Sequence, residues 1–377
     1  MRSIGEIAPW ETHSLGSCPW EGFWAFNPSA ICTPDGRWLC SIRCANYHLP
    51  GSTLAPEAKP ARLRNRNLMV TLDPETWRVT NAVEMIDMDR ARGAWRSDPG
   101  FGFEDLRLMW TERDGLFAIG NSLALNDAGM LEICRLALDE DFQIVGCEAL
   151  RGSSWSAGHQ KNWSGYQYEA SSRFLYSITE GGVHDRNGRM IPMHKAPALC
   201  DEDPPEPEAA KPAVRSIVHR NNGAMEVVVG PARGSHRATP RKAGLSLRGG
   251  TQLLPIGPGA ICGSTTHVGD RWLGLAHGCR VSMTKMYWHR WIVVNHDGAL
   301  LAISDPFKID ESVGIEFAAG LAASPQTLAD GRGPLVVSYG IEDDSAHLGI
   351  TELSAVMELV HEVPAPARAP IARRGIL

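Results

Sequence analysis

The sequence predicts an all-β chain, a single five-bladed β-propeller with loop insertions. Three observations lead there. Glycine and proline punctuate the chain, at 38 and 25 of 377 residues, and the apolar runs between them are short. Those runs, among them RFLYSIT, RWLGLAHG, HRWIVVN and PLVVSYG, are rich in β-branched and aromatic residues and several alternate polar with apolar, as strands do. A strand–turn–strand module with a polar head also recurs five times, and repetition of that kind marks radial sheets around an axis.

The first module runs from Phe26 to Arg43, the second from Phe103 to Ser122, the third from Lys161 to Thr179, the fourth from Arg248 to Gly278 and the fifth from Glu316 to Gly340. TPDGRW, ERDGLF, HVGDRW and NHDGAL carry the residues of hairpin turns. The blade heads fall near residues 27, 105, 161, 250 and 318, and are expected to face a central pocket. The chain is taken as one catalytic domain over residues 1–377, with insertions at about 45–100 and 195–247 and a tail at 363–377. Within the insertions, Ala45 to Asn67 is Pro-rich and basic and is expected at the pocket rim. Asp201 to Pro212 is acidic and Pro-rich, and Ala232 to Gly244 is basic; both are expected to be surface segments. The extended tail is expected either to be disordered or to lie across a neighbouring subunit, which keeps a homo-oligomer open.

Composition narrows the function. With 37 basic and 43 acidic residues the formal charge is −6, so there is no basic surplus for a nucleic acid. The N-terminal MRSIGEIAPWETHS lacks the apolar core of a secretory signal. No apolar stretch has the length of a membrane span, and a cytoplasmic location is expected. The nine cysteines are scattered without C-x-x-C, so reduced thiols are expected rather than zinc or disulfides. P-loop, H-E-x-x-H and G-x-S-x-G patterns are missing.

The heads carry the chemistry. Asp105, flanked by Glu104 and Arg107, is the acid candidate for glycosidic cleavage, which needs a proton donor at the leaving oxygen. In a regular strand Asp105 and Arg107 share one face and Glu104 takes the other. Arg107 then either holds Asp105 or meets an anionic substrate group. Arg43, Lys161 and His277 form a cationic set suited to an anion, which Arg248, Arg280 and Arg290 extend. Asn27, Asn162, Thr251 and Asp343 are candidates for sugar hydroxyls. Trp163, Tyr166 and Tyr287 are candidates for stacking on pyranose faces. Most of the twelve tryptophans are expected in interblade packing.

FEDLRL, KNW, RWLGLAHGCR, YWHRWIVVN with ISDPF, and IEFAAGL with LVVSYGIEDD, in that order from about Asn27 to Glu352, resemble the motifs of the mannoside phosphorylases of glycoside hydrolase family 130 and their glycosyltransferase-like relatives. The resemblance implies a five-bladed propeller and Asp105 as proton donor, acting through a sugar hydroxyl. It also implies Arg43, Lys161 and His277 at phosphate or the adjoining sugar, and Asp343 at the sugar. Leu106 stands where the family has proline, and Glu342 and Asp344 flank Asp343; sugar binding tolerates these departures better than phosphorolysis does. Five-bladed furanosidases carry a catalytic aspartate at the first head, where this chain has Asn27.

The expected activity is therefore an inverting glycoside phosphorylase or hydrolase on β-mannoside-like sugars. The alternatives are a mannosyltransferase-like enzyme of the same fold and a non-catalytic sugar-binding propeller. The expected partner is an oligosaccharide or glycoside. No cofactor and no metal are expected, and inorganic phosphate stands as a candidate co-substrate.

Overall fold

A computed structural model describes residues 1–47, 63–87, 101–123, 125, 131–150, 164–168, 171–179, 183–184, 190–191, 213–219, 225–229, 246–257, 271–281, 285–295, 300–310 and 314–362. Among the described residues strand far outweighs helix, in a propeller arrangement, so the all-β expectation holds.

A short helix, α1 (Ile4–Ile7), and a short strand, β1 (Glu11–Ser14), precede the first blade, a meander of β2 (Trp24–Cys32), β3 (Trp38–Ala45), β4 (Asn65–Leu72) and β5 (Val79–Glu84). The second blade is the meander β6 (Glu104–Thr111), β7 (Gly115–Ser122), β8 (Glu132–Leu138) and β9 (Ile144–Ala149). Next come β10 (Ser164–Tyr168), β11 (Ser171–Thr179), the two-stranded β12 (Val183–His184) and β13 (Met190–Ile191), β14 (Ala213–His219) and β15 (Met225–Val229). They are followed by β16 (Ser246–Gly249), β17 (Leu254–Ile256), β18 (Arg271–Val281), β19 (Lys285–Asn295) and β20 (Leu300–Ser304). The last blade holds β21 (Glu316–Ala323), β22 (Pro334–Ile341) and β23 (Ser345–Glu352), with α2 (Pro325–Asp330) after β21. A final helix, α3 (Leu353–Leu359), leads to β24 (Val360–Glu362), which returns to pair with β20.

The structure has four blades, among the described residues, where the sequence predicts five. The third and fourth modules are continuous because β16 pairs on both edges. Ser246, Leu247 and Arg248 pair with Thr179, Ile178 and Ser177 of β11, while Arg248 and Gly249 pair with His277 and Ala276 of β18. One ten-stranded sheet results. Two stretches read as insertions also supply blade strands: β4 and β5 lie within 45–100, and β14 and β15 within 195–247. The segments 201–212 and 232–244 and the tail 363–377 lie outside the described residues.

Packing follows from the two-residue period of a strand. Ala30 and Cys32 of β2, with Trp38, Cys40 and Ile42 of β3, face a core shared with Ala322, Val336 and Leu348 of the last blade. Their neighbours in sequence, Ile31 and Leu39, face the opposite core with Leu106, Leu108 and Ala118 of the second blade. Each strand thus contributes alternate side chains to two interblade layers, which is why the runs are apolar on both faces. Tryptophans serve these layers as expected: Trp38 and Trp77 meet edge to face at 4.9 Å, and Trp272 and Trp291 are fully buried.

Polar side chains stitch the inner strands together. Gln252 Nε2 donates to Ala30 O and Leu321 O, both at 2.8 Å, and Ala30 N donates to Ser338 Oγ at 2.8 Å. Ser41 Oγ donates to Leu106 O at 3.0 Å and Leu108 N donates to Ser29 Oγ at 3.1 Å. The strands approach so closely that a Cβ on Gly320 would lie 2.5 Å from Ala30 N. The ring is closed by β1, which pairs antiparallel with β23, Glu11 opposite Ile350 and Ser14 opposite His347. Among the described residues no helix is long and apolar enough to cross a membrane.

Candidate active site

The heads of the first two blades carry the same irregularity. In β2 the pairing with β3 shifts between Phe26 and Ser29, and in β6 the pairing with β7 shifts between Glu104 and Arg107. The first extra residue is Asn27 in one and Asp105 in the other, with φ of 47° and 49°. Asn and Asp enter this left-handed region more readily than most residues, and a bulge of this kind re-aims a side chain out of strand alternation. Glycines make the space. A Cβ on Gly120, opposite the second bulge, would lie 2.4 Å from Leu106 Cδ2, and one on Gly340 would lie 2.5 Å from Asn27 Oδ1 and 2.6 Å from Asn27 N.

The bulge overturns the face assignment made from regular alternation. Glu104 and Asp105 do not diverge; both reach Arg43 of β3. Arg43 Nη1 donates to Asp105 Oδ1 at 2.8 Å and Nη2 to Glu104 Oε1 at 3.0 Å, while Nε donates to Asn65 Oδ1 at 2.7 Å. Asn27 Nδ2 donates to the same Asp105 Oδ1 at 2.9 Å. Tyr47 OH hydrogen-bonds Arg43 Nη2 and donates to Glu104 Oε1 at 3.1 Å, and Asn121 Nδ2 donates to Glu104 Oε2 at 3.2 Å. Asn27, Arg43, Glu104 and Asp105 are all buried. Burial works against the charge of Arg43, but Glu104, Asp105 and Asp343 outweigh it and hold its pKa well above the ordinary value. Burial likewise raises the Tyr47 phenol, with Glu104 and Asp105 adding to the effect and Arg43 opposing it.

Arg107 follows a different course. Its Nε donates to Gly250 O at 2.6 Å and its guanidinium lies 5.6 Å from the Phe317 ring centre, so it ties the second blade to the fourth module and to the last blade. Burial pulls its pKa down to about 10, against the charge of Asp105.

An aromatic wall stands beside the carboxylates. His277 is buried, stacked on Tyr287 at 5.7 Å and 27°, and edge-on to Phe317 at 5.0 Å and 81°. The Tyr287 phenol is raised by burial first, then by its neighbours Cys279, Asp343 and Asp105. Asp343 sits in the hairpin turn between β22 and β23, where Glu342 and Asp343 both have φ of 53°. Glu342 Oε1 accepts from Gly314 N at 3.0 Å and Ile315 N at 3.2 Å, and Asp344 is exposed. Of the three consecutive acids, Asp343 is the one whose charge acts on both Arg43 and Tyr287.

The structure therefore gathers Asn27, Arg43, Glu104, Asp105, His277, Tyr287 and Asp343 around one neighbourhood, with Arg107 behind it. Lys161, Asn162 and Trp163 lie outside the described residues, as does the side chain of Arg280. Thr251 is fully buried and its Oγ1 accepts from Leu275 N at 3.1 Å, a structural bond rather than a sugar contact. Tyr166 is buried in a core against Trp272 at 5.4 Å, so it has no face for a pyranose. Arg290 Nη1 donates to Ser304 O at 2.7 Å, and Arg248 is half-buried opposite His277.

Sequence reasoning missed Tyr47, Asn65, Asn121 and Phe317. It also missed a fully buried pair: His289 Nδ1 lies 3.3 Å from Glu316 Oε1, and His289 Nε2 accepts from Ala318 N at 3.3 Å. Among the described residues Nδ1 makes no hydrogen bond despite its closeness to the carboxylate. Glu316 also accepts from Ile309 N and Asp310 N at 2.9 and 2.8 Å, which fixes the head of β21 beside Phe317. Among the described residues, no group of three His, Cys, Asp or Glu side chains is placed to hold a metal.

No family model matches the chain, and no curated protein matches it. Solved structures do. The beta-1,2-mannobiose phosphorylase from Listeria innocua, in complex with beta-1,2-mannobiose, aligns with TM-score 0.52 at 13% identity, covering 93% of this chain and 99% of that one. A mannose phosphorylase from Leishmania mexicana, in complex with phosphate ion, aligns with TM-score 0.44 at 12% identity, covering 94% of this chain and 91% of that one. A GH43_1 enzyme from Xanthomonas citri complexed with xylotriose aligns with TM-score 0.47 at 11% identity, covering 92% and 90%. The first of these shares its fold with this chain.

Proposed function

We propose that the chain is a carbohydrate-active enzyme that cleaves a glycosidic bond with inversion, with Asp105 as general acid and β-mannoside-like sugars as the substrate class. One observation carries this reading: a buried carboxyl is turned out of its strand by left-handed backbone and held at the head of the sheet by Asn27 and Arg43 of the neighbouring blade. The bulge costs about 1–3 kcal/mol where it occurs, and a position that only packs two strands has no need of it. Glu104, Asp105 and Asp343 together surround Arg43. As general acid, Asp105 carries the proton that the leaving oxygen needs. Asp105 passes that proton to a sugar hydroxyl, the hydroxyl passes its own to the leaving oxygen, and the nucleophile attacks the anomeric carbon from the opposite side as its bond to oxygen breaks. Asn27 and Asp343 hold hydroxyls, and Tyr287 offers its ring to the sugar.

Four of the five N–H donors of Arg43 are engaged, by Asp105, Glu104, Asn65 and Tyr47. Phosphate as nucleophile would then rest on Lys161 and His277, and water is the nucleophile that needs neither. The test is to incubate β-linked mannobioses with and without phosphate, and mannose acceptors with a sugar-nucleotide donor, and to follow the first-formed anomer by proton NMR. Release of the α-anomer or its phosphate is expected. Asp105→Asn should lower kcat at least about 100-fold, the usual scale of acid–base contributions, while sugar binding by calorimetry persists. Parent-level turnover by that variant would move the acid to Glu104 or Asp343. Sugar binding without turnover under all three conditions would make the chain a binding protein.

A further inference from the structure

Glu342 stands next to Asp343 in sequence but is bonded elsewhere. Asp344 N donates to Ile341 O at 2.9 Å, which closes a turn over Ile341 to Asp344 with φ of 53° at both central residues. Positive φ at both centres suits glycine, asparagine and aspartate, and glutamate enters that region rarely. Such backbone persists only where its surroundings hold it. Glu342 supplies the hold. Its N–H donates to Ile315 O at 2.9 Å, and its Oε1 accepts from Gly314 N at 3.0 Å and Ile315 N at 3.2 Å. Gly314 O accepts from Tyr287 N at 2.9 Å. A continuous run of hydrogen bonds therefore leads from the turn that carries Asp343 to the strand that carries Tyr287. The turn also borders both sides of the site. Gly340, which enters it, pairs with Phe317, and Phe317 lies edge-on to Tyr287 at 6.5 Å. A Cβ on the same Gly340 would lie 2.5 Å from Asn27 Oδ1.

We propose that Glu342 is a positioning residue of the sugar site, whose carboxylate fixes Asp343 and Tyr287 relative to each other without touching substrate. This rests on the reading of Asp343 as a ligand for sugar hydroxyls and of Tyr287 as the ring offered to the sugar. Both donors to Oε1 are backbone groups of the segment entering β21, so the length of the glutamate side chain sets how far the turn stands from that segment. The three consecutive acids then have three settings: Glu342 anchors, Asp343 binds, and Asp344 is exposed. Loss of the anchor lets the turn and the Tyr287 strand move apart. Sugar binding suffers more than the chemical step, because Asp105 sits on the second blade with its own bonds to Asn27 and Arg43.

Three variants separate the anchor from the backbone it holds. Glu342→Ala removes the acceptor and keeps the unfavourable φ. Glu342→Gly removes the acceptor and relieves the φ. Glu342→Gln keeps an oxygen acceptor at the same reach. With β-linked mannobioses as the probe, KM should rise about tenfold in the Ala and Gly variants while kcat stays within about threefold, and Gln should recover most of the affinity. Tm should fall less in Gly than in Ala. Parent KM in Glu342→Gly would mean that only the backbone of the turn matters, and overturns the proposal. A kcat loss as large as the KM rise would place Glu342 at the chemistry and overturns it too. Hydrogen exchange followed by mass spectrometry needs no sugar: amides in peptides spanning Gly314–Ile315 and Tyr287 should exchange about tenfold faster in Glu342→Gly than in the parent. Unchanged exchange around Tyr287 in that variant rules the positioning role out whatever the kinetics. A parent protein that neither binds nor turns over β-mannosides sinks the reading of the sugar site instead, and exchange then decides the positioning role alone.

Discussion

Asn27 and Asp105 occupy the same place in two neighbouring blades, each the first extra residue of a left-handed bulge, and the amide of one donates to the carboxylate of the other at 2.9 Å. The amide is what makes the pair work. Asn27→Asp would set two carboxylates against each other in a buried site, and loses a donor in doing so. A destabilisation of about 1–3 kcal/mol at neutral pH is expected. The deficit should shrink as pH falls and the two carboxyls share a proton. Urea unfolding at several pH values measures it; a pH-independent deficit would mean that the two side chains do not interact.

Arg43 is the joint of the cluster, with Nη1 on Asp105, Nη2 on Glu104 and Nε on Asn65. Arg43→Ala leaves two buried carboxylates without their cation and should cost about 3–5 kcal/mol. Arg43→Lys keeps a charge but cannot bridge three partners. It should recover part of the stability and little of the activity. Equal stability of Lys and Ala variants in chemical denaturation would show that charge at this position is not what counts.

Gly340 tests the space behind Asn27. A methyl group there would lie 2.5 Å from Asn27 Oδ1 and 2.6 Å from its backbone nitrogen. Gly340→Ala must therefore displace the bulge, at a cost of about 1–3 kcal/mol, and should lower kcat along with stability. Gly5→Ala meets nothing within 4 Å and serves as the control, with a Tm at or above that of the parent.

His347 gives stability a pH dependence of known sign. It stacks on Tyr339 at 5.4 Å and its Nε2 lies 2.8 Å from Ser345 Oγ. Burial lowers its pKa from 6.5, against the charge of Asp310. Below 6.5 the unfolded chain binds a proton that the folded chain refuses. The contribution is thus fully present above that value and is lost as pH falls through the lowered folded one. His347→Phe keeps a stacked ring and should flatten the fall in Tm on acidification; an unchanged profile would assign the fall to other groups.

Much of the site was legible because its residues stand at repeated positions. The heads Asn27 and Asp105 and the strand end Arg43 follow from aligning modules, and Asp343 from the family resemblance. What defeated sequence reasoning was local backbone. Alternation sends Glu104 and Asp105 to opposite faces, and only a positive φ at Asp105 brings both to Arg43. Asparagine and aspartate at the heads were the available hint. Tyr47, Asn65 and Asn121 are ordinary polar residues in sequence, and their roles arise from cross-strand and cross-blade placement. The fifth blade was miscounted because β16 is only four residues long and pairs on both sides, which joins modules that look separate. Thr251 and Tyr166 were misjudged for a related reason: polar and aromatic residues near a head also serve backbone satisfaction and packing.

The pairing of β1 with β23 has a consequence for the order in which the molecule is made. Glu11 leaves the ribosome long before Ile350, its partner. While the middle of the chain is synthesised, the edge of β1 and the apolar residues around Leu15 have no sheet to join. Contacts so distant in sequence slow folding and leave strand edges exposed to other chains. Translation speed and chaperone supply should therefore govern the yield of active protein more than equilibrium stability does. A circular permutant that places residues 1–20 after residue 362 would bring the two strands out together and fold faster.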